Sequence, residues 1–320
     1  MAEHEKKDVD AHTGVETTGH EWDGIKELNN PLPRWWVWVF YATVAWSVVY
    51  MIFMPAIPGL PGIGGEYTPG LRDHSERANV REALADLQDS RGPMFERLEQ
   101  AAAEGGITAI EADPDLLGFA MAAGESAFGD NCATCHGAGG QGAIGYPNLN
   151  DDIWLWGGTF DEIRHTLQVG IRTDHPETRY SQMPAYGREN LLTNEEIEAV
   201  TDHVMALGGL IEPTEAGRTT GAEVFELQCS ACHGVDGRGD QSIGAPNLTD
   251  RYWLYGSARE QVRNSVWRGP FGVMPNWGER LDDATITALA AYVYLLGGGQ
   301  PDEFAEAALM DRGTGGAAGE

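Results

Sequence analysis

Residues 131–140 read NCATCHGAGG and residues 228–237 read QCSACHGVDG, and these two stretches hold all four cysteines of the 320-residue chain. In each, Cys-x-x-Cys is followed at once by His: Cys132, Cys135 and His136 in the first, Cys229, Cys232 and His233 in the second. This is the attachment signature of a covalently bound c-type haem. Two intervening residues let one helical turn present both thiols to the two vinyl groups, and the adjacent imidazole then faces the iron. Other readings fit less well. A structural zinc site draws its cysteine pairs closer together than these, and neither stretch would then fold independently around its metal. A thioredoxin-like dithiol wants a strand before it and a sheet around it, and neither is visible in the sequence. Disulfides within each pair would leave both histidines unexplained.

The two motifs belong to an internal duplication. Gly124, Phe128, Cys132, Cys135 and His136 recur as Gly221, Phe225, Cys229, Cys232 and His233. YPNLNDDIWLWGG from Tyr146 recurs as APNLTDRYWLYGS from Ala245, and MPAYG from Met183 as MPNWG from Met274. The only substantial length change falls in the loop before the methionine. Each copy closes with an amphipathic stretch, TNEEIEAVTDHVMALGG or DDATITALAAYVYLLGGG, with Thr193 or Asp282 as the expected cap and glycines as the stop. No strand pattern is credible, so each copy is expected to be a small, mostly helical domain with long loops. The expected boundaries are 116–212 and 213–300, followed by a flexible tail over 301–320.

A His-ligated haem that transfers electrons needs a sixth ligand, and thioether sulfur suits it because it is soft and raises the reduction potential. Each copy offers one, Met183 and Met274, both standing as Met-Pro before the last helix, where the proline stiffens the loop. Met205 aligns with Tyr294 and His203 with Tyr292, so both read as packing residues. Met121, His165 and His175 have no same-type partner in the second copy. A methionine exchanged between the copies stays open. Pro147 and Pro246 offer carbonyls to the ligating imidazoles. Trp154, Trp156, Trp253 and Tyr255 are candidate haem walls, and Arg164, Arg172 and Arg263 candidate partners for the haem carboxylates, against the plainer readings of core aromatics and solvated surface. With both axial positions filled no site is open to substrate, and no nucleophile, paired carboxylates or phosphate loop stand out. The composition fits an electron relay.

Residues 35–57, WWVWVFYATVAWSVVYMIFMPAI, carry no charge and as a helix extend about 34 Å, enough for a bilayer core of about 30 Å. Trp35, Trp36 and Trp38 sit where interfacial aromatics anchor a span. The 34 residues before it are too many for the leading region of a signal peptide. Lys6, Lys7, Lys26 and Arg34 precede the span, which favours a cytoplasmic N-terminus, and covalent haem assembly outside the cytoplasm places the rest in the periplasm. Residues 1–34 are polar and expected to fold poorly alone; 58–115 are expected to be a linker with two short helices whose apolar faces carry Val80, Leu84, Leu87 and Phe95, Leu98. The formal charge is -28, with 49 acidic against 21 basic residues, which excludes a nucleic-acid partner and fits either a cationic protein partner or a salt-adapted surface.

From about residue 20 onward the chain resembles the CcoP (FixP) family, the membrane-anchored dihaem cytochrome c subunit of cbb3-type cytochrome c oxidases. The resemblance is carried by EWDGIKELNNPLPRWW before the span, which simple dihaem cytochromes lack, and by CATCHG, DDIWLWGG, MPAYG, CSACHG and VMPNWG after it. It implies a mainly α fold, one N-terminal transmembrane helix followed by two tandem cytochrome c-like domains, and two covalently bound haem c groups. It further implies His136 with Met183 and His233 with Met274 as axial pairs. The implied partners are a donor cytochrome c, a monohaem cytochrome c subunit and the catalytic haem-copper subunit, where oxygen is reduced and protons are pumped. No catalytic site of its own is implied, and the implied location is the bacterial inner membrane.

Overall fold

The computed structural model describes residues 8–59, 67–68, 70–72 and 74–301, in two units, residues 1–88 and 89–320. Pro301 apart, the expected tail lies outside the described residues, as does part of the linker.

In the first unit, Thr17–Trp22 (β1) and Ile25–Leu28 (β2) form an antiparallel hairpin. The expectation that this segment folds poorly is therefore corrected. Asp23 and Gly24 join the strands with φ of 49° and 84°, the left-handed pair whose twist matches a two-residue hairpin. Lys26 closes on Asp8 at 2.7 Å. The apolar run forms helix α1, Arg34–Phe53, with no buried residue. It is shorter than the expected 35–57 because Pro55 forces Met54 into extended backbone, φ −118° and ψ 152°. Its 20 residues still extend about 30 Å, the thickness of a bilayer core.

The two short helices expected in the linker are one, α2, Glu76–Ala112. It runs past Pro93 and kinks instead at Gly105 and Gly106, where Gly106 takes a φ of 56° that side chains resist. Val80 and Leu84 are exposed, whereas Leu98 is fully buried and Phe95 meets Phe119 edge-on at 4.9 Å.

In the second unit the duplication is visible helix by helix. The first copy gives α3, Pro114–Asn131; α4, Ala133–His136; α5, Phe160–Val169; and α6, Asn194–Leu207. The second gives a π-helical turn, Gly217–Gly221, then α7, Ala222–Gln228; α8, Ser230–His233; α9, Arg259–Arg268; and α10, Asp283–Tyr294. Thr193 caps α6 and Asp282 caps α10, as their sequences indicate. Asp113 caps α3, and Thr159 with Glu162 closes a capping box on α5.

The cores do not follow the repeats. The last helix of the second copy, α10, packs on α3 and α5 of the first, and the last helix of the first, α6, packs on α7, α9 and the π-turn of the second. One core thus gathers Phe128, Phe160, Ile163 and Leu167 with Ile286, Leu289 and Val293; the other gathers Ile197, Val200 and Val204 with Val224, Phe225, Val262 and Val266. Equivalent contacts recur in both. The backbone at Gly124 lies against the Ala288 carbonyl and Tyr292, and at Gly221 against the Ala199 carbonyl and His203. Phe128 meets Tyr292 at 5.4 Å and Phe225 meets His203 at 5.1 Å.

Charge explains the crossing. Glu198 and Asp202 on α6 align with Thr287 and Ala291 on α10, while Phe160 and Arg164 on α5 align with Arg259 and Arg263 on α9. Packed within its own copy, Asp202 would face the fully buried Phe160 and Arg259 would face Ala291. Crossed, Arg259 pairs with Glu198 at 2.6 Å and Asp202 at 2.8 Å, Arg263 pairs with Glu198, and Phe160 and Ala291 share an apolar core. At the Asp202 and Arg259 positions acid meets base and apolar meets apolar only in the crossed arrangement, whereas Glu198 would face an arginine, Arg263 or Arg164, in either.

Candidate haem sites

Each Cys-x-x-Cys-His stretch breaks one helix and starts a single turn. Cys132 caps α4, and the amides of Cys135 and His136 both donate to its carbonyl, at 3.1 and 3.0 Å. Cys232 and His233 donate to the Cys229 carbonyl at the same distances. Gly137 and Gly234 follow with φ of 81° and 77° and turn the chain away from the imidazole. The chain then returns. Gly142 donates to the His136 carbonyl and Leu149 to Gly140, as Gly239 does to His233 and Leu248 to Gly237.

This return places the Pro147 carbonyl 3.0 Å from His136 Nδ1 and the Pro246 carbonyl 3.0 Å from His233 Nδ1. A carbonyl only accepts, so Nδ1 carries the proton in both rings and Nε2 keeps its lone pair for a metal. Burial lowers the pKa of both rings, against the raising effect of those carbonyls, and so favours the neutral form that a metal binds. Burial, and to a lesser degree the neighbouring cysteine, pushes the Cys132 and Cys229 thiols up to about 11. Such thiols are unlike the acidic thiolate of a redox dithiol. Among the described residues no three of His, Cys, Asp or Glu converge as a metal cluster.

The methionines follow the crossed helices. Met274 packs on the core that contains Cys132, and Met183 on the core with Phe225 and Val224, where Cys229 also packs. Met274 exchanges two backbone hydrogen bonds with Ile171 at the end of α5, at 2.9 and 3.0 Å, and Trp277 donates to Leu167. On the other side Gly187 and Arg188 donate to the Trp267 carbonyl at the end of α9, and the Tyr186 hydroxyl donates to the Gln228 carbonyl at 2.6 Å. Three of the discounted residues are otherwise engaged: Met205 is core, His203 Nδ1 donates to Gly217, and His175 Nδ1 accepts from the Glu177 amide.

The two halves meet through equivalent loops. Gly244 is covered by the Trp156 ring, the Tyr255 ring lies 3.8 Å from where a Cβ on Gly145 would stand, and Gly145 donates to the Leu254 carbonyl at 2.7 Å. Trp156 and Tyr255 thus line the junction between the halves. Trp154 donates its indole N–H to the Gly298 carbonyl at 2.6 Å and has none left for a haem carboxylate. Arg263 is held by Glu198, and Arg172 donates to the carbonyls of Ser181 and Gly272. By contrast, Trp253 Nε1, Arg164 Nε and Arg179 Nε are buried without a hydrogen-bond partner. Arg179 lies in the loop that lengthens the first copy and has no counterpart in the second. Three orphaned donors fit a group that brings its own carboxylates, and two imidazoles with free Nε2 fit its iron.

Three family models match the chain: the N-terminal domain of cytochrome oxidase-cbb3, FixP, over residues 14–61; cytochrome c over 121–208; and cytochrome c oxidase, cbb3-type, subunit III, over 216–293. The chain is 48% identical over 302 residues to the cbb3-type cytochrome c oxidase subunit FixP of Bradyrhizobium diazoefficiens, an alignment covering 94% of this chain and 100% of that one. It is 45% identical over 309 residues to subunit CcoP of Azospirillum sp., covering 94% and 100%, and 45% identical over 285 residues to CcoP of Cereibacter sphaeroides, covering 89% and 95%. Paired Cys-x-x-Cys-His turns on a helical scaffold, an apolar N-terminal helix and end-to-end similarity agree: the chain belongs to the CcoP/FixP family and is a membrane-anchored c-type cytochrome, an electron-transfer subunit of cbb3-type cytochrome c oxidase.

Proposed function

We propose that the chain carries two haem c groups with crossed axial pairs. One is bound through Cys132 and Cys135, with His136 and Met274 as axial ligands; the other is bound through Cys229 and Cys232, with His233 and Met183. The observation that carries this reading is the position of the methionines, Met274 beside the core of Cys132 and Met183 beside that of Cys229. It replaces the pairing suggested by order along the chain.

When bound, haem c supplies an iron that cycles between ferric and ferrous states. The protein's part is to hold that iron still. Pro147 and Pro246 fix the imidazoles, the Met-Pro loops are pinned to the ends of α5 and α9, and the junction at Trp156, Gly244, Gly145 and Tyr255 sets how closely the two halves approach. With both axial positions occupied the subunit relays electrons and leaves oxygen chemistry to the haem-copper subunit. Its neighbours are that subunit, a monohaem cytochrome c subunit and a donor cytochrome. Helix α1 anchors it in the inner membrane with the N-terminus cytoplasmic and the haem-bearing part periplasmic. The excess of acid, 49 residues against 21 basic, favours a cationic donor whose encounter weakens with salt.

Single-haem chains test the crossing. In a full-length chain with Cys229 and Cys232 changed to Ala, Met274→Ala should abolish methionine ligation of the remaining haem and Met183→Ala should not, read from the long-wavelength sulfur-to-iron band of the ferric protein. The opposite result restores the uncrossed pairing.

A further inference from the structure

The second unit holds two guanidinium groups whose Nε atoms are buried and unpartnered, Arg164 on α5 and Arg179 on the loop that lengthens the first copy before Met183. Arg179 touches the Glu162 carbonyl with one terminal nitrogen at 3.3 Å and lies over the Trp156 ring, 5.7 Å from its centroid. Neither arginine has an ion-pair partner among the described residues, in a chain with 49 acidic side chains. Both side chains are only partly buried, yet a guanidinium drawn even partly out of water normally has a partner for each buried N–H, because the lost hydration is otherwise unrelieved.

The duplication supplies an internal comparison. Arg164 aligns with Arg263, and Arg263 is neutralised by Glu198 from the crossing helix α6. The position of Glu198 on the other crossing helix, α10, is taken by Thr287, whose hydroxyl is buried without a partner. The same site is therefore compensated in one core and left open in the other. Arg179 has no counterpart at all. Its amide donates to the Gly170 carbonyl at 3.1 Å and its carbonyl accepts from Arg172 at 3.0 Å, while the intervening Ile171 pairs on its far side with Met274. Arg179 is thus held one strand away from the methionine of the first core.

Building on the haem assignment above, we infer that Arg164 and Arg179 bind the carboxylate side chains of the haem carried by Cys132 and Cys135, and that they set its reduction potential above that of the haem carried by Cys229 and Cys232. A fixed cation disfavours the more positive ferric state, so the potential rises. In the second half the aligned charge is cancelled by Glu198, and no such rise follows.

The test is an optical redox titration of the full-length holo-protein and its Arg164→Gln and Arg179→Gln variants. Two potentials are expected in the parent; in each variant the higher falls and the lower stays, and Arg179→Lys keeps part of the difference. Haem content and the sulfur-to-iron band should be unchanged, which separates lost charge from lost structure. Arg238→Gln, at an exposed arginine paired with Asp236, should move neither potential. Two haems with unmoved potentials, or a fall confined to the lower one, overturn the inference. A parent chain lacking two covalent haems would instead overturn the haem assignment on which it rests. Should a glutamine variant lose its haem, Glu198→Gln decides: freeing Arg263 should raise the lower potential, and no change counts against the inference.

Discussion

Glu198, on the last helix of the first repeat, holds Arg263 of the second, so an ion pair crosses the boundary that the sequence repeat draws. Arg259 joins the cluster at 2.6 Å, with Asp202 on its other side. Arg263 first, and then Arg259, hold the Glu198 carboxyl below the usual carboxylate range. The sign follows from linkage: a depressed folded-state pKa contributes stability above the ordinary Glu value of about 4.3 and loses it as pH falls through the lower folded value. Glu198→Gln should therefore lower thermal stability at neutral pH and converge with the parent in acid. The side chain is 40% exposed and screened by solvent, so a loss of no more than about 1 kcal/mol is expected. Thermal melts across pH and ionic strength check this, and a difference that persists in acid would refute it.

The crossed cores predict which fragment stands alone. Residues 180–269 contain Cys229, Cys232, His233, Met183, α6 and α9, a complete core on one continuous stretch. Exported as a fragment, they should acquire one methionine-ligated haem. Residues 116–212, the first sequence repeat, lack α10 and Met274 and should not form a stable six-coordinate protein. Haem staining and ferric spectra of the two fragments distinguish the outcomes.

Close helix approach at Gly221 tests the same packing by size. A Cβ there would run into the Ala199 carbonyl, so Gly221→Ala should cost roughly 1–3 kcal/mol, the usual penalty of overpacking. Gly118, in the middle of α3 with open space around its Cβ position, is the control. Gly118→Ala should be stabilising by about 0.5–1 kcal/mol through helix propensity and backbone entropy. Chemical denaturation of the holo-protein measures both.

At the N-terminal hairpin, Gly24→Val places a β-branched residue at a φ of 84°. The hairpin should lose about 1–2 kcal/mol or open. Amide exchange of residues 17–28 should accelerate, while the melting of the haem-bearing unit stays unchanged.

Much of this was legible before any coordinates. The duplication located the Cys-x-x-Cys-His turns, the candidate histidines and methionines and the caps Thr193 and Asp282, because each depends on residues close in sequence. Which helix packs on which was not, since α6 and α10 each present an apolar face and the repeat pairs each with its own copy. The discriminating signal lay in one polar position, Asp202 against Ala291, and acquires meaning only beside Arg259 and its counterpart Phe160 on the facing helices. Arg179 stayed hidden because it lies in the loop inserted before Met183, where no second copy marks which residue turns inward. The hairpin was hidden by its polarity, although Asp23-Gly24 between Trp22 and Ile25 is a short-range turn signal.

The crossed cores also order the maturation of the chain in time. A polypeptide leaves the ribosome and the translocon N-terminus first, so the second core has every element it needs once Arg268 has emerged, whereas the first must wait for α10, which ends at Tyr294. The Cys-x-x-Cys-His turn made first is thus enclosed last. A chain cut short by even a few dozen residues would complete its downstream half and leave the upstream half open, so damage at the C-terminus should register at the cofactor nearest the membrane anchor in sequence.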